Sequence, residues 1–116
     1  HAHAHLRAMG AINDTVANLA AAIEGEGFEF QKMYPEYLDK AKEEGHRRAE
    51  RTFQYALDVE EIHYALYTKA LAAVKGVEDL PERKIFVCDV CGNTVYDHAP
   101  ETCPICNAKR AAFTEI

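Results

Sequence analysis

The sequence predicts an all-α helical bundle, present as two long antiparallel helices, followed by a small β-rich metal-binding domain. Three observations predict it. Residues 15–44 and 46–74 each carry apolar or small side chains in alternating steps of three and four, the seam of a helix packed in a bundle. Gly45 alone separates the two stretches, so the second helix must return alongside the first. Near the C-terminus, Cys88-Asp-Val-Cys91 and Cys103-Pro-Ile-Cys106 form two pairs of equal spacing, eleven residues apart. A Cys-x-x-Cys turn brings two sulfurs within reach of one ion, and two such turns make a tetrahedral cage of four sulfurs suited to zinc or iron.

At 116 residues, 48% of them hydrophobic, the chain holds one or two small domains. The expected division is a helical part over 1–76, a linker over 77–83 and a cysteine domain over 84–116. The cysteine domain is too short to bury much apolar surface, so a metal has to hold it together. A net charge of −6 argues against a nucleic-acid partner. No apolar run approaches the ~20 residues of a membrane span, so no membrane partner is expected. No secretory signal is visible. Free-thiol ligands without such a signal favour the cytoplasm and count against the competing reading of two disulfides.

Taken in order, residues 1–9 read as a helix end stopped by Gly10. The chain opens at His1 without a methionine, and this end reads as the close of a helix whose start precedes it. Asn13-Asp14-Thr15 offers N-cap residues for a helix to about Glu44. Its seam is Val16, Leu19, Ile23, Glu26, Phe30, Met33 and Tyr37, with a kink expected at Pro35. The next helix, from about His46 to Val74, has the seam Ala49, Phe53, Ala56, Glu60, His63, Tyr67, Ala70 and Val74, and Gly76 ends it. Lys84 to Val87 then reads as a short strand into the first cysteine turn. Gly92 and Asn107 each follow a cysteine pair, where a metal knuckle needs a residue that tolerates positive φ.

Polar groups interrupt both seams. Glu26 and Glu60 stand where the pattern asks for leucine or valine, and a buried carboxylate needs a partner. Glu29 follows Glu26 by three residues and His63 follows Glu60 by three, so each pair points the same way. Antiparallel packing would aim three carboxylates and an imidazole into one interior, a donor set suited to iron or manganese. An inward Glu-x-x-His is the recurring unit of carboxylate-bridged di-metal bundles. The tyrosines, Tyr34 included, read as packing at helical spacing.

These residues resemble the rubrerythrin family over nearly the whole chain. Gly25-Glu26-Gly-Phe-Glu29-Phe-Gln-Lys-Met33-Tyr34-Pro35 is similar to its third bundle helix, and Val59-Glu60-Glu-Ile-His63 to its fourth-helix Glu-x-x-His. Cys88 to Cys106, with Phe113 beyond, resembles its rubredoxin-like tail. The resemblance implies a ferritin-like di-iron bundle joined to a rubredoxin-like domain with one iron on four cysteines. It implies a peroxidase that reduces hydrogen peroxide to water in oxidative stress defence, with electrons from a reductase or rubredoxin. By resemblance, Glu60 bridges the irons, Glu26 and His63 are terminal ligands on one, Glu29 is a ligand on the other, and Tyr34 donates a hydrogen bond beside them. His1 matches the second-helix histidine that can take the place of the carboxylate represented by Glu29. The family's first helix and most of its second are not matched, leaving five of seven expected ligands. The apolar seams and the family's electron route, which brings the rubredoxin-like domain to a di-iron site on another subunit, imply a homodimer. Zinc can substitute in the four-cysteine site. Two alternatives stand beside this reading: a zinc-ribbon interaction module on a helical hairpin, and a ferritin-like iron-storage protein.

Overall fold

The computed structural model describes residues 1–77 and 79–116; Glu78, within the expected linker, lies outside the described residues. A short exposed helix α1 (Ala2–Ala8) ends at Gly10, whose φ of +66° stops it as expected. Helix α2 (Thr15–Phe28) starts at Asp14, whose carboxylate accepts the Ala17 N–H at 2.8 Å. It does not run unbroken to Glu44. A π-helical turn (Glu29–Met33) follows, and then α3 (Tyr34–Glu43). Pro35 falls in the first turn of α3, where no intrahelical N–H bond is required of it, so the deviation lies ahead of the proline.

The π-turn inserts one residue into the helical repeat. The inward face beyond it shifts by one position. Leu38 and Ala41 are buried, and Tyr37, expected in the seam, is half exposed. Gly45, at φ +72°, turns the chain into α4 (Arg47–Lys75), which runs back along α2 and α3. Gly27 permits close approach here, since a Cβ at that position would lie 3.2 Å from Tyr64 Cε2. The Tyr64 ring meets Phe30 edge-on at 5.3 Å. Gly76 caps α4 in ordinary right-handed geometry, and the positive φ falls on Val77 instead.

The cysteine domain is a three-stranded antiparallel sheet of β1 (Ile85–Cys88), β2 (Thr94–Tyr96) and β3 (Phe113–Glu115), in the order β2-β1-β3. The first cysteine turn is the tip of the β1–β2 hairpin. The second is closed by a Thr102–Lys109 bridge. Arg83 stacks on the Tyr96 ring and pairs with Asp97, fastening the linker end to β2.

This domain sits on α4 of its own chain. Val59 is 2% exposed, the most buried of the described helical positions, and it lies against Gly92. Val59 is not a seam residue, because the seam faces α2 and α3 while Val59 faces the cysteine turn. Val59→Ala should lower stability by about 2 kcal/mol, from two lost buried carbons and the cavity left behind. Urea unfolding followed by circular dichroism checks this, with an unchanged midpoint as the contrary result.

Candidate metal centres

The two cysteine turns repeat one local pattern. Gly92 N–H donates to the Cys88 carbonyl at 2.8 Å and Asn107 N–H to the Cys103 carbonyl at 3.0 Å. Cys88 N–H donates to the Asn93 carbonyl at 3.0 Å and Cys103 N–H to that of Ala108 at 2.8 Å. Gly92 and Asn107 take φ of +83° and +62°, the conformation expected of them. All four cysteines are free thiols. Their sulfurs lie within 4.8 Å of one another, with Cys88–Cys106 at 3.7 Å and Cys91–Cys103 at 3.6 Å. A tetrahedron of sulfurs about 2.3 Å from a central ion has edges of about 3.8 Å, so the four fit zinc or iron closely.

Hydrogen bonds polarise this cage. Burial pushes the Cys103 thiol up, but the N–H groups of Cys106 and Ile105, with the neighbouring thiols, more than offset it and hold Cys103 at about 7. Burial pushes the Cys91 thiol up, opposed by the Asn93 N–H and reinforced by the other thiols. The arrangement favours a thiolate at Cys103, the form that binds a metal.

The second centre lies between α2 and α4. Glu26, Glu60 and His63 bring one ligand atom each within 4.8 Å of the others. His63 Nδ1 is 2.8 Å from Glu60 Oε2 and 3.7 Å from Glu26 Oε1. The three side chains are only 17%, 16% and 23% exposed, so water does little to separate the two carboxylates. Burial, a hydrogen bond with Glu60 and the charges of Glu60 and Glu29 raise Glu26 to about 7. Glu29 opens the π-turn and stays outside this three-atom group. It is half-buried, its carboxyl raised by burial and by Glu60 and lowered by His63. Tyr34 opens α3 beside Phe53 and Tyr37, and burial with the nearby carboxylates pushes its phenol up. It therefore remains a hydrogen-bond donor near neutral pH. His1 is exposed at the start of α1 and is not brought into the cluster. The donor set of Glu26, Glu60 and His63 fits iron or manganese.

The meeting of the two centres has no counterpart in the sequence patterns. His63 Nε2 lies 3.2 Å from the Gly92 carbonyl oxygen and 3.1 Å from Thr94 Oγ1, and the Thr94 hydroxyl donates to the same carbonyl at 3.1 Å. A carbonyl only accepts, so Nε2 carries the proton, and Nδ1 is left as the nitrogen for a metal. The approach of the cysteine domain to the carboxylate cluster, expected between subunits, is made here within one chain. Gly92 stands out in the sequence only as a turn residue, and Thr94 carries no signal at all. Asn93, equally inconspicuous, is 2% exposed between them.

Antiparallel helices with an inward carboxylate–histidine cluster, joined to a four-cysteine knuckle domain, define a protein with a ferritin-like part and a rubredoxin-like part, each carrying a candidate metal centre. The chain matches the family model for rubrerythrin over residues 1–71 and that for the rubrerythrin rubredoxin-like domain over 86–114. It belongs to the rubrerythrin family. It is 43% identical over 98 residues to rubrerythrin-2 of Clostridium acetobutylicum, covering 84% of this chain and 53% of that one. It is 34% identical over 97 residues to nigerythrin of Nitratidesulfovibrio vulgaris, covering 84% and 46%. The solved structure of nigerythrin in its fully reduced, all-ferrous state superposes with a TM-score of 0.79 at 30% identity, over 90% of this chain and 50% of that one. The chain thus spans about half the length of the curated relatives it matches.

Two outcomes follow from these geometries. Cys103→Ala should lose the ion from the four-cysteine site and unfold the sheet while leaving most helicity in place. Metal analysis and far-ultraviolet circular dichroism read this. In metal-free protein, Glu26 holds its proton more tightly when folded than when unfolded, so stability should fall as pH rises from about 4.5 to about 7. Glu26→Gln should flatten that fall, and thermal midpoints across the range that match the parent's would contradict it.

Proposed function

We propose that this chain forms part of a rubrerythrin-type oxidoreductase that reduces hydrogen peroxide to water. The observation that carries this reading is His63, which touches Glu60 through Nδ1 and, through Nε2, the carbonyl of the residue following Cys91. One imidazole spans the distance between a thiolate cage and a carboxylate cluster. It offers an electron a short covalent and hydrogen-bonded route between them. All-ferrous and mixed-valence states of the structurally similar nigerythrin support iron as the metal.

In this reading Cys88, Cys91, Cys103 and Cys106 hold one iron. Glu26, Glu29, Glu60 and His63 belong to a di-iron site, with His1 entering on the family resemblance alone. Held by these residues, a di-iron pair would supply the two-electron chemistry that peroxide reduction needs, and a tetrathiolate iron would supply one-electron transfer. The protein's part is positional. Gly92 and Thr94 fix the His63 tautomer and hold the ring between the centres. Tyr34 keeps its phenolic proton beside the carboxylates and would donate a hydrogen bond toward the substrate. The balance is one peroxide, two electrons and two protons to two waters, with the electrons arriving from a reductase or rubredoxin.

Assembly belongs to the same proposal. Leu19, Leu66, Tyr67, Leu80 and Ile116 line an apolar cleft of about 550 Å³ that opens on His63. Phe28, Val16 and Val74 are also exposed on the helices. We place this chain in a homodimer whose second copy helps to cover these faces, working in the cytoplasm in oxidative stress defence. No helix among the described residues is long and apolar enough to cross a membrane.

Glu60→Ala in the complete protein should abolish peroxide turnover, by at least about 100-fold, and leave the red colour of a ferric tetrathiolate site intact. Peroxide consumption with a supplied reductant measures the first, and the visible spectrum the second. Undiminished turnover would remove the carboxylate cluster from the reaction, and a colourless, zinc-filled cage in natively produced protein would remove the relay.

A further inference from the structure

Among the described residues, Asn93 is the one buried residue with a polar side chain in the cysteine domain that is neither a ligand nor a turn-former. It is 2% exposed, and its Nδ2 lies 3.7 Å from Cys103 Sγ, within range for a donor to sulfur. Its backbone is committed as well. The Asn93 carbonyl accepts from Cys88 N–H at 3.0 Å, and its N–H serves Cys91. One residue beside the first cysteine turn therefore touches three of the four cysteines, and its side chain crosses to the second turn. The backbone contacts would survive almost any substitution. The bond to Cys103 is the part that depends on the side chain being asparagine.

We propose that Asn93 is a positioning residue for the four-cysteine centre, its carboxamide N–H bonding Cys103 Sγ and raising the reduction potential of an iron held there. This rests on the reading of the cage as an iron relay. Adding an electron to a ferric tetrathiolate site increases negative charge on the four sulfurs. An N–H aimed at one sulfur is bonded more strongly in the reduced form, and so favours reduction. Cys103 is 0% exposed, so water cannot compete for that lone pair or replace a lost donor. Cys103 also receives the backbone N–H groups of Ile105 and Cys106, so donors already gather on this sulfur. A carboxamide added to that set acts where charge is concentrated. The consequence for the relay is directional: a higher potential lets the cage accept electrons from a weaker donor and lowers its drive to pass them on.

The alternative is that Asn93 only fills space. Asn93→Leu separates the two, because leucine has a similar shape and no side-chain N–H. In the iron-loaded full chain, redox titration followed at the visible bands of the ferric site should give a lower potential for Asn93→Leu than for the parent. An equal potential in a variant with the parent's ferric spectrum overturns the proposal. If the leucine variant does not hold iron, the parent chain loaded with ¹¹³Cd decides. Through-bond coupling between the Asn93 carboxamide protons and the cadmium supports the proposal, and its absence at assigned carboxamide resonances overturns it. Neither measurement involves peroxide, so the role of Asn93 is tested even in a protein that fails as a peroxidase.

Discussion

The hydrogen bond between His63 and the Gly92 carbonyl is the contact on which the two halves of this molecule depend. It requires α4 to present His63 on the flank between the α2 seam and Val59. It also requires the first cysteine turn to present a carbonyl outward. Gly92 meets the second condition through its φ of +83°, a conformation that costs a side-chain-bearing residue about 1–2 kcal/mol. Space is not the constraint, since a Cβ at Gly92 would meet Val59 only at 3.6 Å, an ordinary contact. The same backbone conformation therefore serves the metal cage and the docking of the domain.

Electrostatics explains why the helical part tolerates such a cluster. Two carboxylates near an imidazole, largely shielded from water, cannot all be charged without cost. In the absence of an ion the protein answers by keeping a proton on Glu26 up to about pH 7. A divalent ion would replace that proton and neutralise both acids together. The cost of burying Glu26 and Glu60 is thus a measure of how strongly the site favours a cation. The π-turn contributes here as well. It begins at Glu29, so a carboxyl that feels the charges of Glu60 and His63 lies where the helical ladder is already interrupted.

Much of this was legible in the sequence, for reasons that can be named. The cysteine spacing with Gly92 and Asn107 dictated the knuckle geometry, because local covalent constraints leave few solutions. Glu26, Glu60 and His63 were visible because charged groups in an apolar seam are expensive. The π-turn was not visible: a one-residue insertion leaves composition and spacing unchanged on either side, and only the burial of Leu38 and Ala41 in place of Tyr37 reveals it. Val59, Thr94 and Asn93 were equally hidden. Their roles come from contacts between segments far apart in the chain, and no local pattern encodes which face of α4 the cysteine domain will cover. The placement of His1 rested on resemblance alone, with no packing pattern behind it, and α1 buries none of its residues.

The two centres are built to different degrees of self-sufficiency, and this bears on how they could work together. The four-cysteine cage is complete within one short segment, from Cys88 to Cys106, and backbone bonds from its own turns brace the knuckles. Such a site changes little when an electron arrives, which suits a relay. The carboxylate cluster rests on side chains from two helices, held by few fixed bonds, with Glu29 of the π-turn outside the tight group. Ligands of that kind can shift as charge changes, which suits a site that can exchange a proton for an ion. His63 belongs to both environments: its Nε2 is pinned by the rigid domain and its Nδ1 faces the adaptable one. A ring fixed at one nitrogen gives the cluster a reference point. The carboxylates can then rearrange around an ion without losing contact with the cage.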